Sequence, residues 1–153
     1  GGFELALSAD IIVAAEHVKF SLPEIRAGTL ADAATIKLPK RIPHHVAMDM
    51  LFTGRFMESA EAKHHGLVSE VVPTGKHMER AREIAQLLAE GPPLVFAAIK
   101  EVVREAEDRS FQDTMALITR RKLKTVEMLY GSEDQIEGPR AFAEKRKPVW
   151  KGR

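Results

Sequence analysis

The sequence contains no cysteine. That absence excludes disulfides, thiolate metal sites and a cysteine nucleophile, and it suits a cytoplasmic protein. Net charge is equally scarce: 23 Lys and Arg against 22 Asp and Glu leave +1 at pH 7, which gives no footprint for nucleic acid. No apolar run approaches the roughly 18 residues that a membrane span needs. No signal peptide, internal repeat or low-complexity tract is visible either. What is there is ordinary for a globular protein, with 44% hydrophobic and 29% charged residues. A chain of this length can bury about 70% of its unfolded surface.

The most informative stretch is the first, Gly1 to Gly28. A glycine pair, Gly1-Gly2, leads into Phe3-Glu4-Leu5-Ala6-Leu7, which is made mostly of helix formers. Glycines at a helix start let backbone N–H groups approach a ligand closely, and the helix dipole adds partial positive charge. An oxyanion needs that environment, whether it is a phosphate or the enolate oxygen of an activated thioester. The run Ile11 to Ala15 reads as a short buried strand, and His17-Val18-Lys19-Phe20 alternates as a second strand would. A Ser-Leu-Pro-Glu corner follows. Two carboxylates, Glu4 and Glu24, stand at the ends of this unit, and strands folding back on the helix would bring both ends to one cleft.

Beyond Gly28, apolar spacing over Val46 to Phe52 predicts a helix stopped by Gly54, after His44-His45. Ser59 is read as the N-cap of a short helix through His65, ended by Gly66. Leu67 to Pro73 reads as a strand, and Thr74-Gly75 as a boundary. The remainder is helical: Met78 to Glu90, Leu94 to Asp108, a long apolar stripe over Phe111 to Tyr130, and a last helix capped at Ser132 with Gly138-Pro139 inside it. This predicts domains at residues 1–75 and 76–153.

The pattern GGFELAL, AD, F, LPEI and G, with the stretch Thr53-Gly54 to Pro73, resembles the crotonase superfamily of enoyl-CoA hydratases and isomerases. The closing EGPRAFAEKRKPVWKGR, and Phe3 between Gly2 and Glu4, are similar to the carnitinyl-CoA dehydratase branch of that family. The resemblance runs over the whole chain and implies an α/β fold. On that reading the chain is the C-terminal portion of a ββα spiral core followed by an α-helical trimerisation domain, and so a piece of a longer protein. It implies an acyl-CoA hydro-lyase acting on carnitinyl-CoA or crotonobetainyl-CoA, in a trimer or a dimer of trimers. No separate cofactor is implied, because coenzyme A is part of the substrate, and no nucleic acid or membrane is involved. By the same resemblance Glu4 and Glu24 match the two catalytic glutamates, and Gly1 supplies one oxyanion N–H while the other donor lies upstream. Gly28 and Lys145 contact substrate, the lysine reaching the phosphate-bearing end of coenzyme A.

One segment departs from the family. Over Thr29 to Pro39 the family has a proline and a Gly-Gly pair before Arg-Leu-Pro; here Ala33-Ala34 or Ala34-Thr35 stand for the glycines and Lys37 for the arginine. Alanine tolerates positive φ poorly, which predicts a differently shaped loop beside the site. Bland readings stand beside the others. A first-turn glutamate such as Glu4 serves the dipole, Glu24 after Pro23 is a solvated turn residue, and Asp10 is structural. His44-His45 and His64-His65 point to different helix faces, so no metal site is expected. Lys145-Arg146-Lys147 reads as a solvated helix end, and Trp150 packs or faces a quaternary ammonium. Three functional readings stay open: a hydro-lyase, an isomerase or hydrolase on the same fold, and a remnant that assembles through its helices without catalysis.

Overall fold

The structure, a computed structural model, describes residues 1–153. It divides into two compact units, Gly1–Ile84 and Ala85–Arg153. In the first, helix α1 (Gly2–Ala6) is followed by strands β1 (Val13–Ala15) and β2 (Lys19–Phe20), a 3₁₀ turn (Pro23–Ala27), helix α2 (Asp32–Lys37) and a second 3₁₀ turn (Leu38–Lys40). Helix α3 (His44–Thr53), strand β3 (Met57–Glu58), helix α4 (Ser59–His64) and strand β4 (Glu70–Val72) complete it, and α5 (His77–Ala89) runs across the division. The second unit holds α6 (Pro93–Ala106), α7 (Phe111–Thr119), α8 (Lys124–Tyr130) and α9 (Glu133–Ala143). No helix is long and apolar enough to cross a membrane.

Two short pairings frame the first unit. β1 and β4 are parallel, with Ala14 opposite Val71, and β2 and β3 are antiparallel, with Phe20 opposite Met57. Both strands of the parallel pair are shorter than their apolar runs predict. At Ile12 the ladder gives way to a side-chain link, because the Ile12 N–H donates to Ser69 Oγ while the Ser69 N–H donates to the Ile12 carbonyl. His17-Val18 likewise lies outside β2, and Leu67-Val68 outside β4. Leu67 and Val68 are nevertheless buried. They join Leu7, Phe20, Leu22, Leu38, Met50 and Met57 in one apolar core, whose burial is worth about 1.5–3 kcal/mol per large side chain.

Ser59 corrects the sequence reading. Glu58 is the N-cap of α4, and Ser59 sits one residue inside the helix, fully buried. Its one hydroxyl proton is shared between the carbonyls of Ala15 at 2.8 Å and Val18 at 2.7 Å, tying α4 to the turn between β1 and β2. Arg55 adds a charged link, donating to Asp49 of α3 and to both carboxylate oxygens of Glu61 on α4.

In the second unit the stripe over Phe111 to Tyr130 is two helices rather than one. Helix α7 ends in a reversal with Arg121 at φ 50°: the Lys122 N–H donates to the Leu117 carbonyl and the Arg121 N–H to the Ile118 carbonyl. This is the Schellman pairing that glycine ordinarily serves. The break lets Leu123 and Val126 turn inward onto Ala98, Val102, Leu117 and Ile118. It also exposes the first N–H groups of α8, and Glu101 of α6 accepts from Thr125 N at 2.8 Å in place of a local cap. Helix α9 is capped by Ser132, whose Oγ accepts from Gln135 N at 3.2 Å. Trp150 packs within its own unit, with its ring 3.4 Å from where a Cβ at Gly138 would stand.

Replacing Ser59 with alanine removes the hydroxyl donor from the Val18 carbonyl and leaves the Ala15 carbonyl only the Val18 N–H. Ser59→Ala is expected to lower unfolding free energy by about 1–3 kcal/mol, read by urea denaturation. A change within roughly 0.5 kcal/mol, the scatter of neutral surface substitutions, would refute the assignment.

Candidate active site

The segment that departs from the family is a helix and not a reshaped loop. Ala33 and Ala34 lie in the first turn of α2, and neither has positive φ, so no glycine is required. An alanine at the N-cap, Ala31, offers no side chain to the N–H groups that a helix start leaves unpaired. Glu4 supplies the acceptor from α1. Its Oε1 receives the N–H of Ala33 at 3.0 Å and of Ala34 at 3.2 Å.

This contact sets the electrostatics of Glu4. The Ala34 N–H, aided by the Ala33 N–H, holds the carboxyl below its ordinary value against the opposing effect of desolvation. Oε2 faces the Gly1 nitrogen at 3.5 Å, and 23% of the side chain is exposed. One oxygen is thereby anchored while the side chain stays partly exposed. The arrangement suits an ionised group that must accept a proton from a fixed direction.

Glu24 is placed differently. It lies in the 3₁₀ turn Pro23–Ala27, which closes at Gly28 with φ 71° and donates from Gly28 N to the Ile25 carbonyl and from Thr29 N to the Glu24 carbonyl. The N–H of Gly28 is therefore engaged by its own turn. Glu24 Oε2 is buried and has no hydrogen-bond partner. A buried, unpaired carboxylate oxygen is costly, which distinguishes this glutamate from a solvated turn residue. The turn is braced from below by Gly54, the left-handed C-cap of α3 with φ 62°. The Gly54 carbonyl accepts from Ser21 Oγ and Arg26 Nη2, both at 3.0 Å. A Cβ on Gly54 would meet Arg26 and Ile25 side-chain atoms at 3.2 Å and Pro23 Cα at 3.3 Å, so a side chain there would displace the turn.

A cavity of about 460 Å³ lies beside both ends of this unit, lined by Gly2, Phe3, Phe20, Ser21, Pro23 and Phe56 among others. Phe3 precedes Glu4 and Pro23 precedes Glu24 in the chain, and the Phe3 and Phe20 rings are 5.1 Å apart. Gly1 is exposed at the start of α1, its carbonyl accepting from Leu5 N at 3.0 Å. No group of three or more His, Asp or Glu side chains gathers as metal ligands would.

Lys145 lies in the second unit. It is exposed and occupies the left-handed position, φ 52°, of a Schellman turn ending α9, with Lys145 N donating to the Phe142 carbonyl and Arg146 N to the Ala141 carbonyl. Arg146 is not a free solvated cation. Its guanidinium binds Glu137 at 2.6 and 2.9 Å and Glu144 at 2.6 Å. Arg146, with help from the Val149 N–H, holds the Glu137 carboxyl down to about 2. The turn that presents Lys145 is thus clamped on both sides. The donors from Ala33 and Ala34 were missed by sequence reasoning, although Asp32-Ala33-Ala34 is a composition that starts helices.

Comparison with known proteins converges on one family. The profile described as enoyl-CoA hydratase/isomerase matches residues 1–153. A carnitinyl-CoA dehydratase of Salmonella typhi is 46% identical over 154 residues, covering 100% of this chain and 59% of that protein. Among solved structures, an enoyl-CoA hydratase from Mycobacterium tuberculosis H37Rv superposes with a TM-score of 0.91 at 34% identity, covering 100% of this chain and 60% of that one. An enoyl-CoA hydratase subunit from Geobacillus kaustophilus HTA426 gives 0.91 at 42% identity, covering 100% and 58%. The chain spans 59% of the length of the curated relative it matches.

The Glu137 contact carries a pH signature. Because the folded carboxyl sits near 2 instead of the usual 4.5, its stabilisation is complete above pH 4.5 and is lost as pH falls toward 2. Glu137→Gln should be less stable than wild type at neutral pH, with the gap closing across that window in thermal melts at stepped pH. A gap independent of pH would refute the charged contact.

Proposed function

The chain belongs to the enoyl-CoA hydratase/isomerase family, with its crotonase fold, and on that premise we propose that it is an acyl-CoA hydro-lyase. It adds water across the α,β double bond of an enoyl thioester, or removes it. The observation that carries this reading is the contrast between two glutamates. Glu4 is anchored, partly accessible and favoured in its ionised form, whereas Glu24 has a buried oxygen with no internal partner.

In the hydration direction the Glu4 carboxylate takes a proton from water as its oxygen bonds to the β-carbon. The π electrons move toward the thioester carbonyl, and Glu24 delivers a proton to the α-carbon. Dehydration reverses each transfer. The enolate oxygen that develops between these steps needs preorganised donors, and the Gly1 N–H at the start of α1 is assigned that role. Two carboxyl groups favour a hydro-lyase over an isomerase, which can work with one. Similarity to a carnitinyl-CoA dehydratase supports carnitinyl-CoA and crotonobetainyl-CoA as the substrate pair.

Lys145 is assigned the phosphate-bearing end of coenzyme A as a point charge on a rigid turn, with Gly28 shaping the turn that carries Glu24. The exposed apolar side chains of the helices, Phe142 at 87%, Phe111 at 76% and Leu87 at 71%, support assembly into a homo-oligomer, a trimer or a dimer of trimers.

Crotonyl-CoA and crotonobetainyl-CoA offered to the protein, with loss of the enoyl-thioester absorbance followed, test the reading. Glu4→Gln and Glu24→Gln should each lower kcat by about 10²–10⁴-fold with assembly unchanged. Wild-type turnover in either variant would remove that residue from the mechanism. Lys145→Gly should relieve the strained backbone and raise stability by about 0.5 kcal/mol while raising KM for the thioester. An unchanged KM would dissociate Lys145 from coenzyme A.

A further inference from the structure

Glu4 is joined to α2 at both of that helix's ends. At the start, the N–H groups of Ala33 and Ala34 meet its carboxylate. At the finish, the Lys37 ammonium donates to Ser8 Oγ at 2.6 Å, and the Ser8 hydroxyl donates to the Glu4 carbonyl oxygen at 3.1 Å. The contacts form a closed circuit from the Glu4 carboxylate through α2, Lys37 and Ser8 back to the Glu4 backbone. A serine hydroxyl has one proton to give and lone pairs to receive, so both Ser8 contacts are satisfied at once.

Helix α2 is held by the core through Ala34 and through Ala31 and Leu38, which flank it. It has six residues, too few to hold a helix without outside contacts. Its N-cap offers no side chain, Ala34 is its only buried residue, and Ile36 is exposed. The polar links at its two ends add to that apolar anchorage and hold its first N–H groups on Glu4. We infer that Lys37 is a positioning residue for the hydration chemistry: through Ser8 it holds α2 on α1 so that the Ala33 and Ala34 N–H groups stay on the Glu4 carboxylate. The inference rests on Glu4 being the base of the reaction; Lys37 itself touches no reacting atom.

The charged residues on the neighbouring elements are Asp32 and Lys37 of α2 and, on β2, Lys19, which is already paired with Glu58 at 2.8 Å. If α2 loosens, the carboxylate loses its strongest donor, and the ionised form needed for catalysis is reached at higher pH.

The test is the pH profile of hydration by the protein and its Lys37→Met, Lys37→Arg and Ser8→Ala variants. Lys37→Met should lower kcat by about 3- to 10-fold with KM little changed, and move the acid limb upward. Lys37→Arg, able to donate to the same hydroxyl, should restore both. Ser8→Ala should reproduce the shift while keeping the lysine charge, which separates placement from simple loss of a cation. Because Ser8 is exposed, this variant also keeps the test informative if Lys37→Met folds poorly. An acid limb unmoved in Ser8→Ala, or a loss that Lys37→Arg fails to restore, would overturn the inference. Full turnover in Glu4→Gln would instead overturn the assignment of the base.

Discussion

The carboxylate of Glu4 sits where two short helices need it, and much of the first unit follows from that. Helix α2 begins at an alanine that cannot cap it, and α1 is too short to be stable alone. A single anionic acceptor shared between them satisfies the N–H groups of one and fixes the side chain of the other. The same contact selects a protonation state, since an oxygen that receives two amide N–H groups is most stable as a carboxylate. Helix capping and ionisation are served by one set of hydrogen bonds, so loosening it disturbs both.

Glu24 is held by the opposite strategy. Its turn is shaped by backbone conformation and close approach, with Gly28 and Gly54 both in the left-handed region and the Gly54 carbonyl gripping Ser21 and Arg26. The side-chain oxygen that results is shielded and receives nothing from its own protein. Two residues of one type thereby acquire unlike environments: one is given donors, and the other is deprived of them. Pairs of carboxyls so differentiated are what acid–base catalysis at neutral pH requires.

Much of this was legible in the sequence. The glycine pair at the start of α1 and the Gly54 stop are local signals, and each lies where its residue type predicts. Other features escaped because their causes are tertiary. Ser59 has the chemistry of an N-cap, but burial beneath β1 turned its hydroxyl to the Ala15 and Val18 carbonyls. The break after α7 carries arginine where a glycine would announce it, and it is explained by the inward turn of Leu123 and Val126. Ala33-Ala34 read as a loss of flexibility when compared with a glycine pair. With negative φ at both positions, the alanines are simply good helix formers, and their value lies in N–H groups that no side-chain pattern reveals.

The parallel pairing of β1 with β4 also has a consequence in time. Val13 meets Glu70 across a separation of more than fifty residues. At a synthesis rate of about 5–20 residues per second, β1 waits on the order of 3–11 seconds for β4 to be made. During that interval the Ile11-Ile12-Val13 segment presents an open, β-branched edge of the kind that pairs with other nascent chains. The two long-range pairings, β1 with β4 and β2 with β3, thus bear on how long the first unit is open to misassociation.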